Sequence, residues 1–117
     1  MVEGAGGVMS PLFEQLVMLD LITLLELPTL IVARSSLGTI NHTLMTYQCL
    51  KMRNVDVLGF MLNRFPRSPN LAESTNAELI SRVGGIDFLG SIPEMGDFFG
   101  QSELIDVFSA SVHRDKL

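Results

Sequence analysis

Three short apolar runs constrain the fold most: Thr29-Leu30-Ile31-Val32-Ala33, Val57-Leu58-Gly59-Phe60-Met61-Leu62 and Phe88-Leu89-Gly90-Ser91-Ile92. None alternates cleanly between apolar and polar residues, so none reads as a strand with one wet face. Runs of this kind suit parallel strands that are covered on both sides. Between them lie stretches with the 3.6-residue period of amphipathic helices. Phe13 to Leu27 has apolar residues at 13, 16, 17, 21, 24 and 25, and Thr39 to Arg53 carries Ile40, Leu44, Tyr47 and Leu50 on one face. Leu71 to Val83 stops at Gly84-Gly85, and Phe98 to Val112 has the weakest stripe, with Leu104, Ile105, Val107 and Phe108. Helix and strand therefore alternate after a strand remnant at Met1-Val2. The expected class is α/β, a parallel sheet flanked by helices.

Composition narrows the function. A chain of 117 residues, 47% of them apolar, supports one domain with a real core. A net charge of −5 argues against nucleic acid or an anionic membrane held by bulk electrostatics, though not against a phosphate held locally by loops. Cys49 has no internal partner, and His42 and His113 are too few for a zinc-type cluster, so a reducing cytoplasm is expected. The greasy stretch from Val8 to Ala33 is broken by Pro11, Glu14, Asp20, Glu26 and Pro28, which argues against a membrane span. No basic leader precedes an apolar core, so no secretory signal is expected.

Open parallel sheets collect ligands beyond the carboxyl ends of their strands. The segments at those positions are EGAGG, RSSLGTIN, NRFPR and PEMGD, all polar or glycine-rich. If the topology holds, all four line one edge. RFPRSPN, residues 64 to 70, reads as the longest loop between elements.

In order and spacing, VEGAGG, VARSSLGTINHTLMT, VLGFMLNR and FLGSIPE resemble the dethiobiotin synthetase family, of P-loop NTPase-like fold. VARSSLGTINHTLMT carries most of the likeness; an EGAGG loop also occurs in related amidotransferases and synthetases. The resemblance spans nearly the whole chain but only the second half of the family's usual length. It implies ATP- and Mg2+-dependent closure of a cyclic urea from 7,8-diaminopelargonic acid and CO2, by way of a phosphorylated carbamate. It also implies a homodimer.

Residue by residue, the resemblance makes Glu3 the magnesium-ligating glutamate, where the residue alone reads equally as a surface carboxylate. Gly4, Ala5, Gly6 and Gly7 let backbone amides approach the terminal phosphate, or form a plain tight turn. Leu37, Gly38, Thr39, Ile40 and Asn41 match the segment that holds the substrate carboxylate from the partner subunit; the bland alternative is a helix start capped by Ser35, Ser36 or Thr39. Asn63 matches the adenine-reading asparagine and Arg64 flanks it, against a turn asparagine and an exposed arginine. Ile92, Pro93 and Glu94 match the second base-proximal loop, with Asp97 a weaker addition beyond it. His42 reads as a packing or interface residue, and Asp20 and Glu26 as solvated.

No GxxxxGK[ST] motif is present. The family's catalytic lysines and its other acidic magnesium ligand correspond to positions upstream of Met1, so no catalytic residue is assigned here. Residues 1 to 117 are expected to form a single partial domain, the C-terminal portion of a larger one, inactive alone. The rival readings are a non-catalytic remnant or dimerisation module, and another ATP-dependent amidotransferase or synthetase of the same superfamily.

Overall fold

A computed structural model describes residues 1–96 and 100–112. Its elements are β1 (Pro11–Phe13), β2 (Leu16–Val17), α1 (Met18–Leu25), β3 (Thr29–Arg34), α2 (Thr39–Met52), β4 (Val57–Phe65), α3 (Leu71–Gly84), β5 (Phe88–Pro93) and α4 (Gln101–Ser111). β3, β4 and β5 form a parallel sheet in that order, while β1 and β2 make a small antiparallel hairpin. The three apolar runs are thus the three sheet strands.

Neighbouring residues of β4 point to opposite faces, and the core divides accordingly. Phe60 and Leu62 join Ile31, Leu50 of α2, Ile80 of α3 and Leu19 of α1 in one buried cluster, with the Phe88 ring tilted against Phe60 at 5.3 Å between centroids. Met61 joins Leu89 and Val112 on the other side. That second face is covered beside β5, where α4 packs, but not over β3: Leu30 and Val32 are exposed, Val32 at 61%. The expectation of cover on both faces therefore fails for β3, which alternates in burial because no layer lies over its outer residues among those described.

Other expectations need correction. The helix expected from Phe13 begins only at Met18. Pro11 brings no amide donor, Glu14 turns the chain in a left-handed conformation (φ 49°), and residues 11 to 17 fold as the hairpin. Asp20 is not merely solvated: its Oδ2 accepts the Val17 amide at 2.9 Å at the start of α1, and Oδ1 pairs with Arg53 at 3.1 Å. Met1 and Val2 belong to no strand. β4 runs on to Phe65, so Asn63 and Arg64 lie within a strand rather than after it. The start of the last expected helix, Phe98, and Asp97 and His113 lie outside the described residues.

α3 shows why its boundaries are sharp. Asn70 Oδ1 accepts the Glu73 amide at 3.0 Å and Glu73 Oε2 accepts the Asn70 amide at 2.9 Å, a reciprocal capping box. Gly85 in left-handed conformation ends it. Asn70→Ala is expected to lower stability by about 1 kcal/mol, read as a fall in the urea midpoint with unchanged slope.

Candidate functional site

The carboxyl ends of the three parallel strands lie level. Arg34 pairs with Asn63 and Phe65 with Pro93 in the ladders, and the Glu94 amide donates to the Phe65 carbonyl at 2.8 Å. RSSLGTIN, NRF and PE therefore share one rim. The glycine loop reaches the same rim from beside β3. Its exit is pinned by the Leu19 amide on the Val8 carbonyl (2.8 Å) and the Met18 amide on the Ser10 carbonyl (2.9 Å). Gly6 and Gly7 then line a cavity of about 400 Å³ together with Arg34, Ser36, Leu37 and Thr39.

At the start of α2 the backbone itself is the feature. Gly38 occupies the cap position at φ 91°, a left-handed conformation that disfavours residues with a Cβ, and no side chain caps the helix. Thr39 Oγ1 donates instead to the Arg34 carbonyl at 2.6 Å. The reading in which Ser35, Ser36 or Thr39 caps the helix is thus not what forms. The first intrahelical bond runs from the His42 amide to Gly38, so the Ile40 and Asn41 amides precede any intrahelical acceptor. Such a helix start favours an anion.

The other expected residues are placed as follows. Leu37 is exposed, at 94%, and Asn41 is exposed on the first turn. Ile40 packs its side chain against the core, so only its backbone faces the rim. Asn63 is exposed, and its Oδ1 accepts the Arg64 amide at 2.8 Å, leaving the carboxamide NH2 as its free donor. Arg64 is held at φ 53°. Ile92 and Pro93 are half-buried and Glu94 is exposed. Glu3, Gly4 and Ala5 are exposed and do not line the cavity; Gly4 lies so close to α1 that a Cβ there would sit 3.1 Å from Met18 Sδ.

Electrostatically the rim differs from the acidic whole. Arg34 and Arg64 are exposed there, and the described ion pairs are Asp20–Arg53 and Glu78–Arg82, which leaves both rim guanidiniums available. No group of three or more His, Cys, Asp or Glu that could hold a metal ion occurs among the described residues. The donor set suits only a cation that takes most of its ligands from phosphate and water, as Mg2+ does, with Glu3 as a single carboxylate. No helix is long and apolar enough to cross a membrane among the described residues.

Sequence reasoning missed two contributors. One is a threonine face of α2: beyond Thr39, already expected at the site, Thr43 and Thr46 follow at helical spacing and line the cavity with His42, a spacing visible in the sequence. Asn76, deep in α3, bonds the Ser35 carbonyl at 2.7 Å across 41 residues of chain, and no local pattern announces that.

A model of a family described as AAA domain matches residues 1–101. An ATP-dependent dethiobiotin synthetase of Bacillus licheniformis is 46% identical over 96 residues, covering 82% of this chain and 41% of the relative. The Bacillus subtilis (strain 168) enzyme of that name is 41% identical over 82% of this chain and 42% of its own length. That of Methanocaldococcus jannaschii is 41% identical over 83% of this chain and 46% of its own. The chain thus spans less than half the length of these curated relatives.

Proposed function

The chain belongs to the AAA domain family, and on that premise we propose that it supplies the base-proximal and carboxylate-binding portion of an ATP-dependent dethiobiotin synthetase. The observation that carries this reading is the meeting, on one rim, of an uncapped α2 start, a glycine loop and the level ends of β4 and β5. Relatives bearing that printed name align across about four fifths of the chain.

In this reading an amine of 7,8-diaminopelargonic acid takes up CO2 as a carbamate. A carbamate oxygen attacks the γ-phosphorus of ATP and ADP leaves. The second amine then attacks the carbonyl carbon, phosphate is expelled and the cyclic urea closes. This chain's residues bind and orient. The Gly38, Ile40 and Asn41 amides and the Asn41 side chain hold the substrate carboxylate, in a partner subunit's site if the protein is a homodimer. The Asn63 carboxamide and the backbone at Ile92, Pro93 and Glu94 face the base, with Arg64 flanking. Backbone amides of Gly4, Ala5 and Gly6 approach the phosphates. Mg2+, with Glu3 as ligand, would neutralise charge on the phosphate oxygens. The phosphate clamp and catalytic lysines must come from residues outside these 117. A cytoplasmic site of action follows from the same reading.

The test is reconstitution. Co-expressing this chain with the segment of the Bacillus licheniformis relative that precedes the aligned region is expected to yield dethiobiotin from the diamine, bicarbonate and MgATP. No product from a soluble assembly overturns the proposal in favour of a non-catalytic interaction module. In the active assembly, Asn41→Ala is expected to raise the KM for the diamine roughly 10- to 100-fold, the loss of a hydrogen bond to a charged group, with the ATP KM little changed. Equal effects on both would remove Asn41 from the carboxylate site.

A further inference from the structure

We propose that Asn76 of α3, which faces no ligand, is a positioning residue that locks the carboxylate-binding turn to the base-proximal strand end through Ser35. The inference deepens the function proposed above and rests on it for the identity of the two ligands.

Asn76 is 5% exposed, on the inner side of a helix whose neighbouring inward residues Ala77 and Ile80 are apolar. A carboxamide there loses water and must be repaid by hydrogen bonds, whereas an aliphatic residue would need none. Its Nδ2 donates to the Ser35 carbonyl at 2.7 Å. Ser35 lies just past the end of β3, where the ladder with β4 has stopped. The same residue's hydroxyl, itself buried, donates to the Arg64 carbonyl at 3.0 Å.

Arg64 is thereby clamped on both sides of its α-carbon. Its carbonyl is held by Ser35 and its amide by Asn63 Oδ1 at 2.8 Å. These bonds keep it in a left-handed conformation, φ 53°, that a residue with a side chain adopts only when its surroundings impose it. That conformation sets the backbone from which the Arg64 side chain leaves, and the same Arg64 amide holds the Asn63 carboxamide. One residue upstream of Ser35, the Arg34 carbonyl is taken by Thr39 Oγ1. With both carbonyls at the β3 exit bound to side-chain donors and the Ser36 carbonyl taken by the Thr39 amide at 3.2 Å, the turn leaves the Ile40 and Asn41 amides, which have no intrahelical acceptor, for the rim. An anion needs that polarity. Ser35 is the common joint, and Asn76 fixes it to the helix layer.

The full 117-residue chain tests this without turnover. Amide hydrogen exchange is measured in wild type, in Asn76→Leu, which keeps bulk but removes the donor, and in Ser35→Ala, which cuts only the tie to Arg64. Asn76→Leu is expected to speed exchange at least tenfold at the bonded amides of Thr39 and His42 and at 63–65, with Leu50, Leu62 and Leu89 unchanged. Ser35→Ala is expected to do so at 63–65 alone. Uniform acceleration of the core amides in both variants, or no change at the two loops, overturns the proposal. In the reconstituted assembly, Asn76→Leu is expected to raise the KM of diamine and ATP together at least fivefold while kcat falls less than twofold; a fall in kcat with both KM values intact also overturns it. A wild-type assembly that makes no dethiobiotin instead overturns the functional reading, and the exchange data still decide the positioning role.

Discussion

Gly59→Val is expected to leave much of the chain unfolded at room temperature. Gly59 is buried in β4, the central strand, at φ 149°, a conformation that β-branched residues avoid. A Cβ there would sit 2.6 Å from the Asp87 carbonyl oxygen and 2.8 Å from Leu89 Cγ. Neither neighbour yields cheaply. The Asp87 carbonyl accepts the Phe60 amide at 2.9 Å, so moving it opens the junction of β4 and β5, and Leu89 is fully buried. Backbone strain of about 1–3 kcal/mol adds to overpacking of about 1–3 kcal/mol. Small domains have a total stability near the low end of about 5–15 kcal/mol, so the sum is a large share of it. Circular dichroism against urea reads the effect. An unchanged midpoint would mean that β4 and β5 do not approach each other this closely.

Glu3→Ala is expected to act on the opposite property, abolishing turnover and sparing the fold. Among the described residues Glu3 makes no hydrogen bond or ion pair and is exposed, so its loss should leave the urea midpoint within about 0.5 kcal/mol of wild type, the usual range for surface changes. In a reconstituted assembly it should lower kcat/KM by roughly 100-fold or more, since a metal's charge stabilisation is worth several kcal/mol. Glu3→Gln, equal in shape but uncharged, should fail equally. Glu3→Asp should recover in part as Mg2+ is raised, because a shorter carboxylate still ligates at a lower affinity. A Glu3→Ala assembly with full activity would end the metal assignment.

These two positions also mark what the sequence made legible. The three apolar runs announced β3, β4 and β5, and the parallel order placed their polar continuations on one rim. α3 could be bounded because its start is held by a reciprocal bond between Asn70 and Glu73, three residues apart, and its end by glycine. Residues 11 to 17 misled because Phe13, Leu16 and Val17 satisfy a helical stripe as well as a two-stranded hairpin, and the turn at Glu14 decides between them. The strand end was set three residues short, at Leu62, because a strand can continue through a left-handed residue when a bulge absorbs it. Within the site, the glycine loop and the SSLGTIN turn could be singled out by composition. The absence of a side-chain cap at Gly38 could not, since it depends on Thr39 turning back to Arg34. The Ser35 joint was invisible for the same reason: its partners, Arg64 and Asn76, come from two elements distant in the chain.

β3 has a neighbour on one side only, and the backbone along its other flank is unpaired among the described residues. A strand in that position can template the growth of the sheet by one more member, and Leu30 and Val32 offer that newcomer a greasy seat. Arg34 is the sole charge on the strand to discourage it. Handling therefore becomes a matter of dilution: concentrated solutions should scatter light and drift toward fibrous or amorphous material, whereas dilute ones stay clear.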